Sequence, residues 1–311
     1  MDNAFILSII AIIGSTLRQA TPLIFAALGG VFSERAGVVN IGLEGMLTMG
    51  AFFAVYGSFV TKNPWIGVVF AIIAGAATAV IHAFLSIHLK AEQVISGTAI
   101  NLFASAITSY LLMVLFKRQG QTDGVGTPYY PKDFMGKIPI IGGLLKEINW
   151  YVFIAFGLVI LANYVLYKTP LGLRIRAVGE HPRAADTLGI SVYKIRYFCV
   201  ILSGALAGLG GASISLSTTN LFREGMVSGR GFIALAAVVF GNWKPAGAMG
   251  ACLIFAFAEA FQIVAQGFGW TLPTEFYSAI PYVITMIVLA GFVGKTISPA
   301  ADGVPYEKGE K

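Results

Sequence analysis

PLGLRIRAVGEHPRAADTLGIS, residues 170–191, is a charged, turn-rich stretch set between two strongly apolar runs. Its centre reads as a short helix. Pro182 fits the first helical position, where a missing N–H costs nothing, and Gly189 fits the place after Leu188 where a left-handed residue ends a helix. Ala184 and Ala185 favour helix, and their small side chains leave a face that another protein can approach closely. Arg174, Arg176, Arg183, Lys194 and Arg196 surround this core, partly balanced by Glu180 and Asp186. Basic loops between membrane spans often do no more than fix orientation. A loop needing only charge has no need of a capped helix, so the stretch is expected to be a docking element.

The flanks set the fold class. The 311 residues are 57% hydrophobic and 12% charged, with mean hydropathy +0.78. A soluble domain carries about 25% charged residues, so this chain is expected to be an integral membrane protein. Several runs approach the ~20 apolar residues that cross a bilayer, and 37 glycines imply close helix packing. The net charge of +6 is explained by juxtamembrane Lys and Arg near anionic lipid, so no nucleic-acid partner is implied. Cys199 and Cys252 lie inside apolar runs and read as small hydrophobes. The first apolar stretch has no basic segment before it, so no cleaved signal peptide is expected.

From the N-terminus, Ala4–Val31 is a first membrane element interrupted by GSTLRQATP. Arg18 should therefore face protein and water or mark a break between two shorter helices. In Phe32–Phe53, Asn40, Glu44 and Thr48 fall four apart and are expected on one helical face. A carboxylate there is costly unless paired. Glu44 either contacts substrate or bonds backbone at a broken helix, with Gly42 and Gly45 allowing close approach. Trp65–Leu89 and Val94–Phe116 are further spans. The second carries Gly97, Asn101, Ser105 and Ser109 as a stripe, either a packing seam or the wall of a polar path; the Asn101 amide favours the wall. Lys117–Asn149 is a long loop expected on an outer surface. A fifth span runs from Trp150 to Tyr167, and a sixth, Tyr197–Leu216, carries a close-contact ridge at Gly204 and Gly208. Gly229–Gly241 is too short to cross and is expected to be a half-span leaving through NWKPAG. Ala246–Phe268 carries Glu259, Gln262 and Gln266 on one face, and Phe276–Val293 is the last span. The expected fold is all-α: a polytopic helical bundle of about eight or nine membrane elements, one of them re-entrant or half-length. One membrane domain, 1–297, precedes a soluble tail, 298–311. Lys168–Arg196 holds six basic and two acidic residues against five and three in Lys117–Asn149, a bias that places 170–191 on the cytoplasmic side.

No enzyme constellation is legible. His82, His88 and His181 lack metal-ligand spacing. Gly294–Lys295–Thr296 imitates the end of a phosphate-binding loop, but Leu289 stands where its first glycine belongs. With no ATP site in the chain, active transport would draw on a partner subunit or an ion gradient.

Three segments, SERAGVVNIGLEGMLTMGAFFA (33–54), RAVGEHPRAADTLGI (176–190) and GRGFIALAAVVFGNWKPAGA (229–248), together resemble the permease subunits of bacterial ABC importers for ribose-type sugars, branched-chain amino acids and nucleosides. The run Glu34-Arg35-Ala36-Gly37 into Asn40-Ile41-Gly42-Leu43-Glu44-Gly45 is most similar to the nucleoside branch. The resemblance implies a multi-pass protein of the bacterial cytoplasmic membrane and a cytoplasmic coupling helix at about 170–191. Arg176, Gly179, Glu180, Arg183, Ala184, Ala185 and Gly189 would serve contact with an ATP-binding cassette subunit, which would hold ATP and Mg; the chain itself binds no cofactor. A second, homologous permease chain and an extracytoplasmic binding protein or lipoprotein complete the implied assembly. The polar faces assign Asn40, Glu44, Asn101, Ser105, Glu259 and Gln262 to the translocation path. Two rivals remain. An ion-coupled secondary transporter would use Glu44 and Glu259 as cation sites, and a membrane scaffold would tolerate loss of both.

Overall fold

The computed structural model of the chain describes residues 2–138, 142–266 and 296–308, with positions 273, 275, 276, 279, 283, 286 and 287 between them. In order, the helices are α1 (Asp2–Arg35), α2 (Leu43–Thr61), α3 (Pro64–Ala83), α4 (Gln93–Phe116), α5 (Lys132–Met135), α6 (Gly142–Glu147), α7 (Trp150–Lys168), α8 (Pro170–Glu180), α9 (Pro182–Thr187), α10 (Val192–Ser213), α11 (Arg230–Phe240) and α12 (Pro245–Ala265). Wider π-helical turns, Phe84–His88 and Ile214–Thr218, extend α3 and α10. Among the described residues seven helices are long and apolar enough to cross a membrane, and α11 is a shorter apolar one. The chain is a multi-pass helical membrane protein. The expected span Phe276–Val293 and the Gly294–Lys295 decoy lie, apart from the single positions named, outside the described residues.

The cap signals lie where local chemistry puts them. The Asn63 side chain accepts the Trp65 N–H ahead of Pro64, Asn149 accepts that of Val152, and Thr169 accepts that of Gly172. Helix α9 begins at Pro182, and Gly189 takes φ +79°, as the sequence requires.

The bundle centre is α10, packed against α1, α2 and α3. Glycine sets this contact. A methyl group added at Gly208 would overlap the Ala71 carbonyl, one at Gly75 the Gly204 carbonyl, and one at Gly50 the backbone of Gly208. Backbones touch directly, as the Gly204–Gly208 ridge implies.

Helix α1 runs unbroken through Pro22. Of the two alternatives for Arg18, the structure takes the first: the guanidinium pairs with Glu147 Oε2 at 2.9 Å and also donates to the Glu147 carbonyl. The two polar loops join at this end of the bundle. Thr122 N–H donates to Phe222 O at 2.9 Å, Val125 N–H to Asn220 O at 2.7 Å, and Glu224 N–H to Gly120 O at 2.9 Å. Helices α8 and α9 lie at the opposite end, since α7 leads away from the loops and α10 returns.

One expectation is corrected. Asn40 does not share a helical face with Glu44, because α1 ends at Arg35 and α2 begins only at Leu43. Gly37, at φ +85°, turns the chain between them. The segment is held in a break whose backbone groups are bonded from outside. Val39 N–H donates to Gln93 Oε1 at 2.7 Å, His82 Nε2 meets Val39 O at 3.0 Å, and Ser33 Oγ donates to Val38 O at 2.6 Å.

Candidate functional site

Helix α11 has eleven residues and is therefore ~16 Å long, about half a bilayer core. Its first N–H groups and last carbonyls have no partners within the helix. Both ends are met by the 33–54 segment. At the N-terminus the two Glu44 oxygens divide the work: Gly229 N–H donates to Oε1 at 2.7 Å and Gly231 N–H to Oε2 at 2.7 Å. Negative charge is favoured at this end of a helix. Gly229 takes φ +82°, and a methyl group on Gly231 would overlap Glu44, so glycine is required at both places. Beyond the C-terminus, Asn242 and Trp243 both take φ +53° and turn the chain sharply. There Arg35 donates through Nε to Trp243 O at 2.8 Å and through Nη2 to Asn242 O at 3.2 Å, while Trp243 Nε1–H donates to Glu34 Oε2 at 2.5 Å.

The structure thus answers the two readings of Glu44 with backbone bonding at a helix break. Asn40 is fully buried, donating to Ser203 Oγ at 2.9 Å. Asn101 accepts the Gly45 N–H at 2.7 Å and donates to Ile41 O at 3.0 Å, which ties α4 to the same break. Ser105 is exposed on α4. Glu259 stands on α12, 3.7 Å from Arg230, the residue between the two glycines that Glu44 holds, and Gln262 is half-buried one turn on. Of the six residues assigned to one polar path, Asn40, Glu44 and Asn101 brace the helix break, Glu259 meets that brace through Arg230, and Ser105 and Gln262 stand apart.

At the opposite end the docking residues also divide. Arg183, Ala184 and Gly189 are exposed. Ala185 is not free for docking: it packs with Val178, Val192 and Tyr306. Gly179 is buried against the Arg35 carbonyl, and Arg176 donates through Nε to Leu166 O at 3.0 Å, covering the end of α7. Glu180 accepts the Ala300 N–H at 3.3 Å and lies 3.9 Å from Arg35. Beside them stands Leu188, 81% exposed, which the sequence reading passed over. Its signal was an aliphatic residue directly before the terminating glycine of a charged loop.

Residues 296–308 extend the same surface. Ala301 N–H donates to Gly179 O at 2.8 Å, Ile297 N–H to Asn242 Oδ1 at 3.1 Å and Arg196 Nη1 to Val304 O at 2.9 Å, so the tail links α8, the end of α11 and α10. Burial pushes the Asp302 carboxyl up to about 7, against the opposing pull of the Gly303 N–H and Arg196. An unfolded aspartate titrates near 3.9. Between those values the docked tail holds a proton that the undocked tail releases, so docking is strongest below about pH 4 and weakens up to about pH 7. Hydrogen exchange at the Ala301 and Val304 amides, corrected for intrinsic rates, should show this loosening, and Asp302→Asn should abolish its pH dependence.

The three segments singled out in the sequence are thus one constellation: 33–54 grips both ends of 229–248 and abuts 176–190. The family described as branched-chain amino acid transport system / permease component matches residues 12–289. The guanosine ABC transporter permease protein NupQ of Bacillus subtilis (strain 168) is 43% identical over 100% of both chains. The nucleoside ABC transporter permease protein NupC of Lactococcus lactis subsp. cremoris (strain MG1363) is 43% identical over 96% of both. An ABC transporter solved in an inward-facing conformation shares the fold at TM-score 0.50 and 14% identity, over 92% of this chain and 97% of that one.

Proposed function

Because the chain belongs to the branched-chain amino acid transport system / permease component family, we propose that it forms the translocation path of an ATP-driven nucleoside importer in a bacterial cytoplasmic membrane. The observation that carries this reading is the continuous linkage from α9, through Gly179 and Arg35, to a half-helix clamped at both ends. A force applied at α9 reaches α11 through the Gly179–Arg35 backbone contact and the Arg35 side chain. An ATP-binding cassette subunit seats on α9 and holds ATP and Mg. The joined loops 117–149 and 220–229 receive the binding protein on the outer face, and a second permease chain completes the channel. The secondary-transporter alternative is weakened at Glu44, whose two oxygens are both engaged by backbone N–H groups.

ATP binding biases the assembly only through its different affinity for open and closed arrangements of the cassette subunits. The coupling surface is therefore testable without touching the path. Leu188→Asp places a charge where an apolar side chain would enter the partner's groove, yet Leu188 contributes little to this chain's own core. Substrate-stimulated ATP hydrolysis by the assembled complex should fall about tenfold or more, since burying an unpaired charge costs several kcal/mol, with permease levels unchanged. Normal stimulation in this variant would remove α9 from the mechanism. Glu180 is a less clean probe, because its carboxylate also holds the tail.

A further inference from the structure

Between α1, the π-helical turn 214–218, the joined loops, α11 and α12 lies a cavity of about 540 Å³, within the range of small-molecule sites. Gln19, Thr218, Arg223, Ser228, Arg230 and Glu259 are among its walls. Thr218 also borders a second cavity of about 490 Å³, beside the first and lined in part by Thr127, Tyr130, Glu147 and Trp150.

Arg230 distinguishes the first cavity. Its backbone is held firmly, because the N–H groups on either side of it, those of Gly229 and Gly231, both donate to Glu44 at 2.7 Å. Its guanidinium is held slackly. Nη1 reaches Met226 O and Val227 O at 3.3 Å each, Nη2 reaches Gln19 Oε1 at 3.4 Å and Glu259 Oε2 at 3.7 Å, and Nε is buried without a partner. Charge-assisted bonds of this kind normally close to 2.7–2.9 Å. A guanidinium and a carboxylate standing this far apart at the wall of a cavity leave donors and acceptors free for a third party.

We propose that this cavity is a transit site for a neutral 6-oxopurine nucleoside, with Arg230 and Glu259 as its two recognition groups. The proposal rests on the functional reading above and adds a place and a preference to it. With Arg223 the walls carry two cations and one carboxylate, so recognition rests on the Arg230 fork and the Glu259 acceptor rather than on balanced charge. A planar guanidinium fork matches two adjacent acceptors such as O6 and N7 of a 6-oxopurine, whereas adenine offers a donor at the first of these positions. A carboxylate can accept both hydroxyls of a ribose cis-diol. Glu44 acts as a positioning residue, because it fixes the backbone from which the Arg230 side chain projects.

Two measurements on the full chain decide the matter. In the reconstituted importer, Arg230→Lys keeps the charge and loses the fork, so guanosine uptake should fall about tenfold relative to adenosine uptake. Equal loss of both would overturn the recognition role. On the wild-type chain, photolabelling with 8-azidoguanosine should mark peptides containing 214–230 and 245–265. Labelling confined to 127–150, or no saturable labelling, would overturn the site even if Arg230→Lys fails to fold. Wild-type guanosine uptake with label elsewhere sinks the site alone. Absence of any nucleoside uptake by the wild-type complex sinks the functional reading and this inference together.

Discussion

Glu44→Leu is expected to abolish transport and to destabilise the purified chain by about 2–6 kcal/mol. Two N–H groups at the start of α11 donate to this one carboxylate, and each donor left unsatisfied in a largely buried place costs about 1–3 kcal/mol. Water cannot fully take over, because a leucine of similar length fills the space. Glu44→Gln should lie between: the amide carbonyl can accept one N–H, while its NH₂ group confronts the other. Thermal unfolding in detergent together with uptake by the assembled complex measures both effects. A Leu variant with wild-type stability and transport would show that the half-helix does not depend on this brace, and the placement of Arg230 would lose its basis.

Gly208→Leu is expected to prevent the chain from accumulating in the membrane. Overpacking costs about 1–3 kcal/mol where side chains can move aside, but here the obstacles are the Ala71 carbonyl and the Gly75 backbone. Neither can move without separating α3 from α10. That contact and the Gly50 contact on α2 form the centre of the bundle, so the loss should exceed this range. Gly157→Leu is the internal control: nothing lies within 4 Å of a methyl group placed there, and normal accumulation is expected. Quantitative immunoblotting of membrane fractions separates the two. Equal levels would refute backbone contact as the basis of the core.

Legibility in the sequence varied with the range of the interaction concerned. The α9 boundaries were readable because Pro182 and Gly189 act on their own φ angles. Spans were readable because a bilayer demands about 20 apolar residues whatever lies beside them, and α11 was recognised as too short by the same rule. One polar stripe, that of Asn40 and Glu44, was misleading for a physical reason. Spacing of four places residues on one face only if the helix is continuous, and the break at 36–42 separates Asn40 from Glu44. The helix pattern of α8 and α9 likewise could not say which small residues face outward: Ala184 does, whereas Ala185 is covered in part by Tyr306 of the tail. That tail reads as a soluble appendage because its anchors are mostly backbone N–H and C=O groups, which leave no trace in residue identity.

By itself the sequence determined that this chain is a helical membrane protein with one half-length helix, a capped helix in its charged loop and glycine-lined contacts. Those properties follow from hydropathy and from local backbone preferences, which act over one or two helical turns. Only the tertiary structure decided that Glu44 serves Gly229 and Gly231, that Arg35 serves Trp243, and that Arg230 faces Glu259 with unused donors. Such pairings join residues up to 208 positions apart, and a buried polar group takes whichever partner packing delivers to it.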